Sequence, residues 1–172
     1  MSMRIVRLLT LSLLLAPVSF AADPGLAQLE FLIGEWCGTS HGEPGEGTTQ
    51  RICEKVLSSR FIECRTTTTY PPQEKNPKGE THVDRAFFSY DRGAKKLRLR
   101  QFHGEGFVNS YIQTESESLV FETDAIENIP AGFRARENYK RLSDDSWSET
   151  FEIAEPGKEF AVYSSSVLQR VK

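Results

Sequence analysis

The segment LAQLEFLIGEWCG, residues 26–38, joins a short helix to a first strand through Gly34-Glu35-Trp36. Asp23 is a good helix N-cap, and Pro24 suits the first helical position because its missing N–H would be unpaired there anyway. Leu26, Leu29, Phe31, Leu32 and Ile33 recur at i, i+3 and i+4, an apolar stripe that needs a surface to cover. Gly34 stops the helix, and Trp36 opens a pleated segment. The stretch predicts a helix that stoppers one end of the sheet behind it.

N-terminal to this segment, residues 1–21 read as a signal peptide. Arg4 and Arg7 precede an apolar run from Leu8 to Val18, and Ser19-Phe20-Ala21 offers the small residues that a signal peptidase reads. The run of about 11 residues is too short for a membrane span, which needs about 20. Removing it leaves 151 of the 172 residues, about one domain's worth. Without Arg4 and Arg7 the 21 basic residues fall to 19 against 24 acidic ones, a net charge of −5. That balance argues against a nucleic-acid partner, which would want a basic face. No later segment is long and apolar enough for a membrane-spanning helix, so the expected product is periplasmic or secreted.

C-terminal to it, ten β-rich runs follow: 34–41, 48–57, 60–70, 81–90, 95–103, 106–113, 118–123, 132–142, 146–154 and 159–171. Turn-forming clusters separate them, among them Gly42 to Gly47, the long polar loop 71–79, Gly104-Glu105 and a second loop at 124–131. Evenly spaced strands without helical crossovers predict an antiparallel up-and-down meander, and closing it into a barrel removes its edges.

Export makes the cysteines informative. Cys53 and Cys64 flank a hairpin turning at Ser58-Ser59, which sets them opposite each other, in a hydrogen-bonded pair position. Cys37 lies on the adjacent strand. Three arrangements stay open: Cys53–Cys64, Cys37–Cys53, or three thiols. A second register depends on the Asp144-Asp145 turn. The preferred pairing sets Glu149 opposite Lys140, and a slip of one residue would bring Tyr139 there instead and turn the strand's side chains over.

The LEFLIGEWCG opening resembles that of the calycin superfamily, in particular the nitrobindin-like and fatty-acid-binding-protein-like barrels and their exported relatives. LRLRQFHGEGFVNSY is similar to a nitrobindin strand–turn–strand beside the pocket, matching at His103 and Gly106 and departing at a Pro-Thr pair. The resemblance implies an all-β, ten-stranded antiparallel calycin-like barrel over residues 22–172, closed at one end by the short helix. It also implies that Arg170, on the last strand, stacks across a structural Trp36. Nitrobindins hold haem through a last-strand histidine. Here that strand contains none, leaving Tyr163 as its one plausible iron ligand, so no cofactor is expected.

Barrels of this class often clamp a ligand carboxylate with an inward arginine, a role that Arg98, Arg100 or Arg136 could fill if they face the lumen. His103, Tyr111, Tyr139, Glu149 and Tyr163 complete the candidate ligand-binding set. The three histidines show no zinc spacing, so no metal is expected. Ser164-Ser165-Ser166 lacks a nucleophile-elbow context, and no catalytic residue is assigned. The expected partner is a small apolar or amphipathic molecule, fatty-acid-like or similar. The alternatives are a haem or nitric-oxide site, an enzyme using His103 or Glu149 as general base, and a barrel packed shut.

Overall fold

The computed structural model describes residues 25–114 and 119–172. The predicted leader, the Asp23 cap, Pro24 and Ser118 lie outside the described residues. Ten strands run in sequence order: β1 (Gly34–Gly42), β2 (Gly45–Val56), β3 (Phe61–Tyr70), β4 (Glu80–Asp91) and β5 (Lys96–His103), then β6 (Val108–Gln113), β7 (Leu119–Glu127), β8 (Arg134–Arg141), β9 (Ser146–Ala154) and β10 (Ala161–Arg170). Each pairs antiparallel with its sequence neighbours, and β1 also pairs with β10, closing an all-β up-and-down barrel. Among the described residues no helix is long and apolar enough to cross a membrane.

The leading helix is a 3-10 helix, Leu26–Leu32, and its buried residues are Leu26, Leu29 and Leu32. A spacing of three puts all of them on one side of a helix with three residues per turn. Ile33, the i+4 member of the expected stripe, is already extended. Trp36 then locks the plug in place. Its Nε1 donates to the Leu32 carbonyl at 2.8 Å, and the Arg170 guanidinium lies 4.1 Å over its ring while donating to the Ile33 carbonyl at 2.9 Å. Gly34 (φ +131°) makes the bend, and a Cβ there would stand 2.4 Å from Arg170 Nη1.

Side chains alternate inward and outward along most of the barrel wall, with the phase reset at two bulges, and the inward set sorts into two layers. Next to the helix Trp36, Ile62, Phe88, Leu97, Leu99, Phe121, Tyr139, Trp147 and Leu168 form a packed apolar floor. Trp147 is its hub, edge-on to Trp36 at 5.9 Å and to Phe31 at 6.4 Å. Above the floor the inward residues turn polar: Thr49, Arg51, Thr66, Gln101, Asn109, Glu137, Glu149 and Ser166 are all buried.

Cys53 and Cys64 form a disulfide between paired positions of β2 and β3, and Cys37 is a free, exposed thiol on β1. Closing this 11-residue separation contributes about 3 kcal/mol by loop-closure entropy. Their Cα atoms are 4.1 Å apart, the spacing of a non-hydrogen-bonded pair rather than the expected hydrogen-bonded one. The turn spans residues 57–60 instead of two residues, with Leu57, Ser58 and Ser59 all at positive φ, and this shifts the parity of the ladder.

The β8–β9 register also corrects the expectation, because Glu149 pairs with Tyr139 and not with Lys140. The Ser146 carbonyl accepts from both Leu142 and Ser143 N–H groups, taking up one residue at the turn. Physically the observed register wins because it keeps Lys140 in solvent and sends Tyr139 and Glu137 inward. Two bulges matter for the open end. One at Asp124 carries β7 on to Glu127, where a loop was expected, and turns Ile126 inward opposite Asn109. The other leaves Tyr163 as an extra residue on β10.

Candidate functional site

The end of the barrel opposite the helix holds a cavity of about 460 Å³. That volume is in the range of pockets that enclose a small organic ligand, and it overturns the packed-shut alternative. One wall is apolar: Ile126, Phe133, Phe151 and Ile153, with Ile129 and Pro130 at the lip. The opposite wall, from β1 to β5, carries Ser40, Thr66, Tyr70, Asp84, Gln101 and His103.

The bottom of the cavity is crossed by an ion pair. Arg51 Nη1 and Nη2 donate to Glu149 Oε1 and Oε2 at 2.9 and 2.7 Å, joining β2 to β9, and the guanidinium carbon rests 5.1 Å from the Trp147 ring. Burial opposes the charge on Arg51, but the field and hydrogen bonds of Glu149 outweigh it and hold the guanidinium above its usual value. Glu137 is different. Burial, and after it the charge of Glu149, push its carboxyl well above the usual carboxylate range, against the hydrogen bond that Gln101 Nε2 donates to Glu137 Oε1 at 3.1 Å. This environment favours the protonated acid.

A second chain of contacts runs up the polar wall. Asp84 and His103 are cross-strand partners, with Asp84 Oδ1 2.9 Å from His103 Nδ1. His103 stacks on Phe107 at 4.0 Å, and its Nε2 lies 3.4 Å from Asn109 Nδ2, which also donates to the Tyr111 hydroxyl at 2.9 Å. Glu105 meets His82 at the rim. Asp84, His103 and Glu105 offer ligand atoms within 4.8 Å of one another, a grouping created by strand register and invisible as a sequence spacing.

Six buried atoms of this lining lack a hydrogen-bond partner: Arg51 Nε, Gln101 Oε1, Asn109 Oδ1 and Glu137 Oε2 at the base, and His82 Nε2 and Asp84 Oδ1, which have only ion-pair neighbours, higher up the polar wall. Each such group costs about 1–3 kcal/mol when left unsatisfied.

Of the residues singled out from sequence, His103, Glu149 and Tyr163 line the cavity. Tyr111 and Tyr139 lie below it in the packed interior, where burial raises both phenols well above their usual value. Arg98, Arg100 and Arg136 are corrections, since all three face outward. Arg98 pairs with Asp91 and Asp124, Arg136 pairs with Glu122 and Glu152, and Arg100 is exposed. Leu97 and Leu99 took the lumen instead, because an apolar side chain gains more there than a hydrated guanidinium. Arg51, Asp84, Gln101, Asn109 and Glu137 were missed. Counting in twos from Leu97 reaches Gln101, and from Tyr139 reaches Glu137.

No protein-family model matches the chain, and no curated protein sequence matches it. Solved structures do. The crystal structure of Rv2717c from M. tuberculosis superposes with a TM-score of 0.65 at 17% identity, covering 88% of this chain and all (100%) of that one. The S-type phycobiliprotein lyase CPES from Guillardia theta superposes with a TM-score of 0.52 at 16% identity, covering 85% of this chain and 92% of the other. At these identities the likeness is one of fold: a closed, ten-stranded antiparallel up-and-down barrel.

Proposed function

We propose that the protein is an exported binding barrel that holds a small apolar or amphipathic molecule in its open end. The observation that carries this reading is the cavity of about 460 Å³, apolar on one wall and studded at its base with buried polar atoms that lack partners. Apolar contact supplies the bulk of the affinity in such a pocket, and a few fixed polar groups set the orientation. The leader-like residues 1–21 and the Cys53–Cys64 disulfide support export, since such bridges persist in oxidising compartments.

The donor set does not suit haem iron. Burial raises the Tyr163 phenol above its usual value, which opposes the phenolate that iron would need. Both His103 ring nitrogens face partners, Asp84 and Asn109. Glu149 offers no free carboxylate as a general base, because Arg51 holds it at both oxygens.

The test is a neutral, environment-sensitive dye. Nile red should bind the wild type saturably and brighten. Ala135→Trp, which pushes an indole into the cavity from β8, should weaken that binding by about ten-fold or more while costing no more than about 3 kcal/mol of stability. Undiminished binding in a folded Ala135→Trp protein would place the dye elsewhere and remove the cavity's role.

A further inference from the structure

We infer that the polar end of the ligand is a hydrogen-bond donor without negative charge, an amine or ammonium or, less well matched, a hydroxyl, and that the cavity discriminates against carboxylates. This deepens the container reading above and rests on it.

Geometry carries the inference in three steps. First, the arginine that could clamp a carboxylate is spent. Arg51 has both terminal nitrogens on Glu149 and keeps only Nε free, Arg134 at the exposed lip donates to the Lys158 carbonyl and lies over Phe160, and Arg98, Arg100 and Arg136 are on the outer wall. Second, the free atoms at the base are mostly acceptors. Asn109 uses its amide nitrogen on Tyr111 and His103, which leaves Oδ1 open. Gln101 uses Nε2 on Glu137, which leaves Oε1 open, and Glu137 Oε2 is open beside it, a donor while the acid holds its proton and an acceptor once it ionises. All three side chains are more than nine-tenths buried, with exposures of 7% for Gln101, 2% for Asn109 and 4% for Glu137. A head group bearing N–H or O–H donors completes the two amide oxygens, whereas a carboxylate brings only further acceptors to them. Third, the charges agree. The deep lining sets the carboxyl groups of Asp84, Glu137 and Glu149 against the single guanidinium of Arg51. A ligand carboxylate would bring further negative charge into a low-dielectric space beside Glu149 and Asp84, and an ammonium would offset charge already there.

A proton is linked to the same event. The charged and titratable groups acting on Glu137 are Glu149 from β9, Arg51 from β2, Asp84 from β4, Tyr111 from β6 and Tyr139 from its own strand, with His82 and His103 further up the same lining. Burial and the charge of Glu149 push the Glu137 carboxyl well above the usual carboxylate range, which favours its protonated form before a ligand docks. An ammonium docked on it favours the ionised form, so the O–H proton leaves to solvent as the ion pair forms. Amine affinity therefore rises with pH, while alcohol affinity does not.

The experiment displaces Nile red from the protein, freed of residues 1–21, with dodecylamine, dodecanol and dodecanoate below their micellar concentrations at pH 7.5. The expected order is amine tightest, with dodecanoate about ten-fold or more weaker. Glu137→Gln should reduce amine affinity by about ten-fold while leaving dodecanol within about three-fold, which also shows that the variant cavity is intact. Calorimetry in two buffers of different ionisation heat should report proton release with the amine and not with the alcohol. Dodecanoate binding as tightly as the amine, or amine affinity unmoved in Glu137→Gln, overturns the head-group assignment and leaves the container standing. Failure of Nile red to bind the wild type removes the container, and the head-group assignment with it.

Discussion

Arg51→Leu is expected to destabilise the barrel by about 3–5 kcal/mol, because it strands the Glu149 carboxylate on an apolar floor beneath a narrow cavity. The wild-type pair is bidentate, both partners are buried, and the Trp147 ring closes one side of the guanidinium. Glu149→Leu should cost a similar amount by stranding the guanidinium instead. The double variant Arg51→Leu/Glu149→Leu should recover most of the loss, since a buried ion pair and an apolar pair of similar volume are close in net stability. Urea midpoints of the four proteins measure this as a double-mutant cycle. Single variants within about 1 kcal/mol of the wild type would mean that the pair is in contact with bulk water, as an exposed pair would be.

Trp36→Ala should cost about 3–5 kcal/mol. The substitution removes a ring that is 2% exposed, the bond to the Leu32 carbonyl and the surface on which Arg170 lies. Its effect should also be local. A seven-residue 3-10 helix has little stability of its own, so once Trp36 no longer holds its C-terminal end, its amides should exchange far faster than those of β8 and β9. Loss of less than about 1 kcal/mol, with the helix amides still protected, would show that the plug is held by its leucines alone.

Much of the fold was legible because its signals are local and repeated. Period-two alternation, turn residues and an apolar helix beside Gly-x-Trp specify a closed meander without any knowledge of what pairs across it. The site was less legible for a physical reason. Which face of a strand turns inward depends on turn length, and each turn here could shift that by one residue. A four-residue turn at 57–60 changed the kind of pair that holds Cys53 and Cys64, and a carbonyl shared at Ser146 moved Glu149 from Lys140 to Tyr139. Bulges at Asp124 and Tyr163 reset the phase again. The Arg51–Glu149 pair joins residues 98 apart in sequence through the lumen, and no local pattern announces it. The arginines that caught the eye, Arg98, Arg100 and Arg136, alternate with apolar or buried neighbours, and in a barrel the lumen goes to the apolar partner unless a counter-charge waits inside. Only Arg51 has one.

The most direct test of a ligand-holding interior is native mass spectrometry of the protein recovered from its source cells without denaturation. A discrete low-mass adduct, released on unfolding and absent from Ala135→Trp prepared in parallel, is the predicted result. A bare polypeptide mass in both proteins, under conditions that keep the barrel folded, would contradict it.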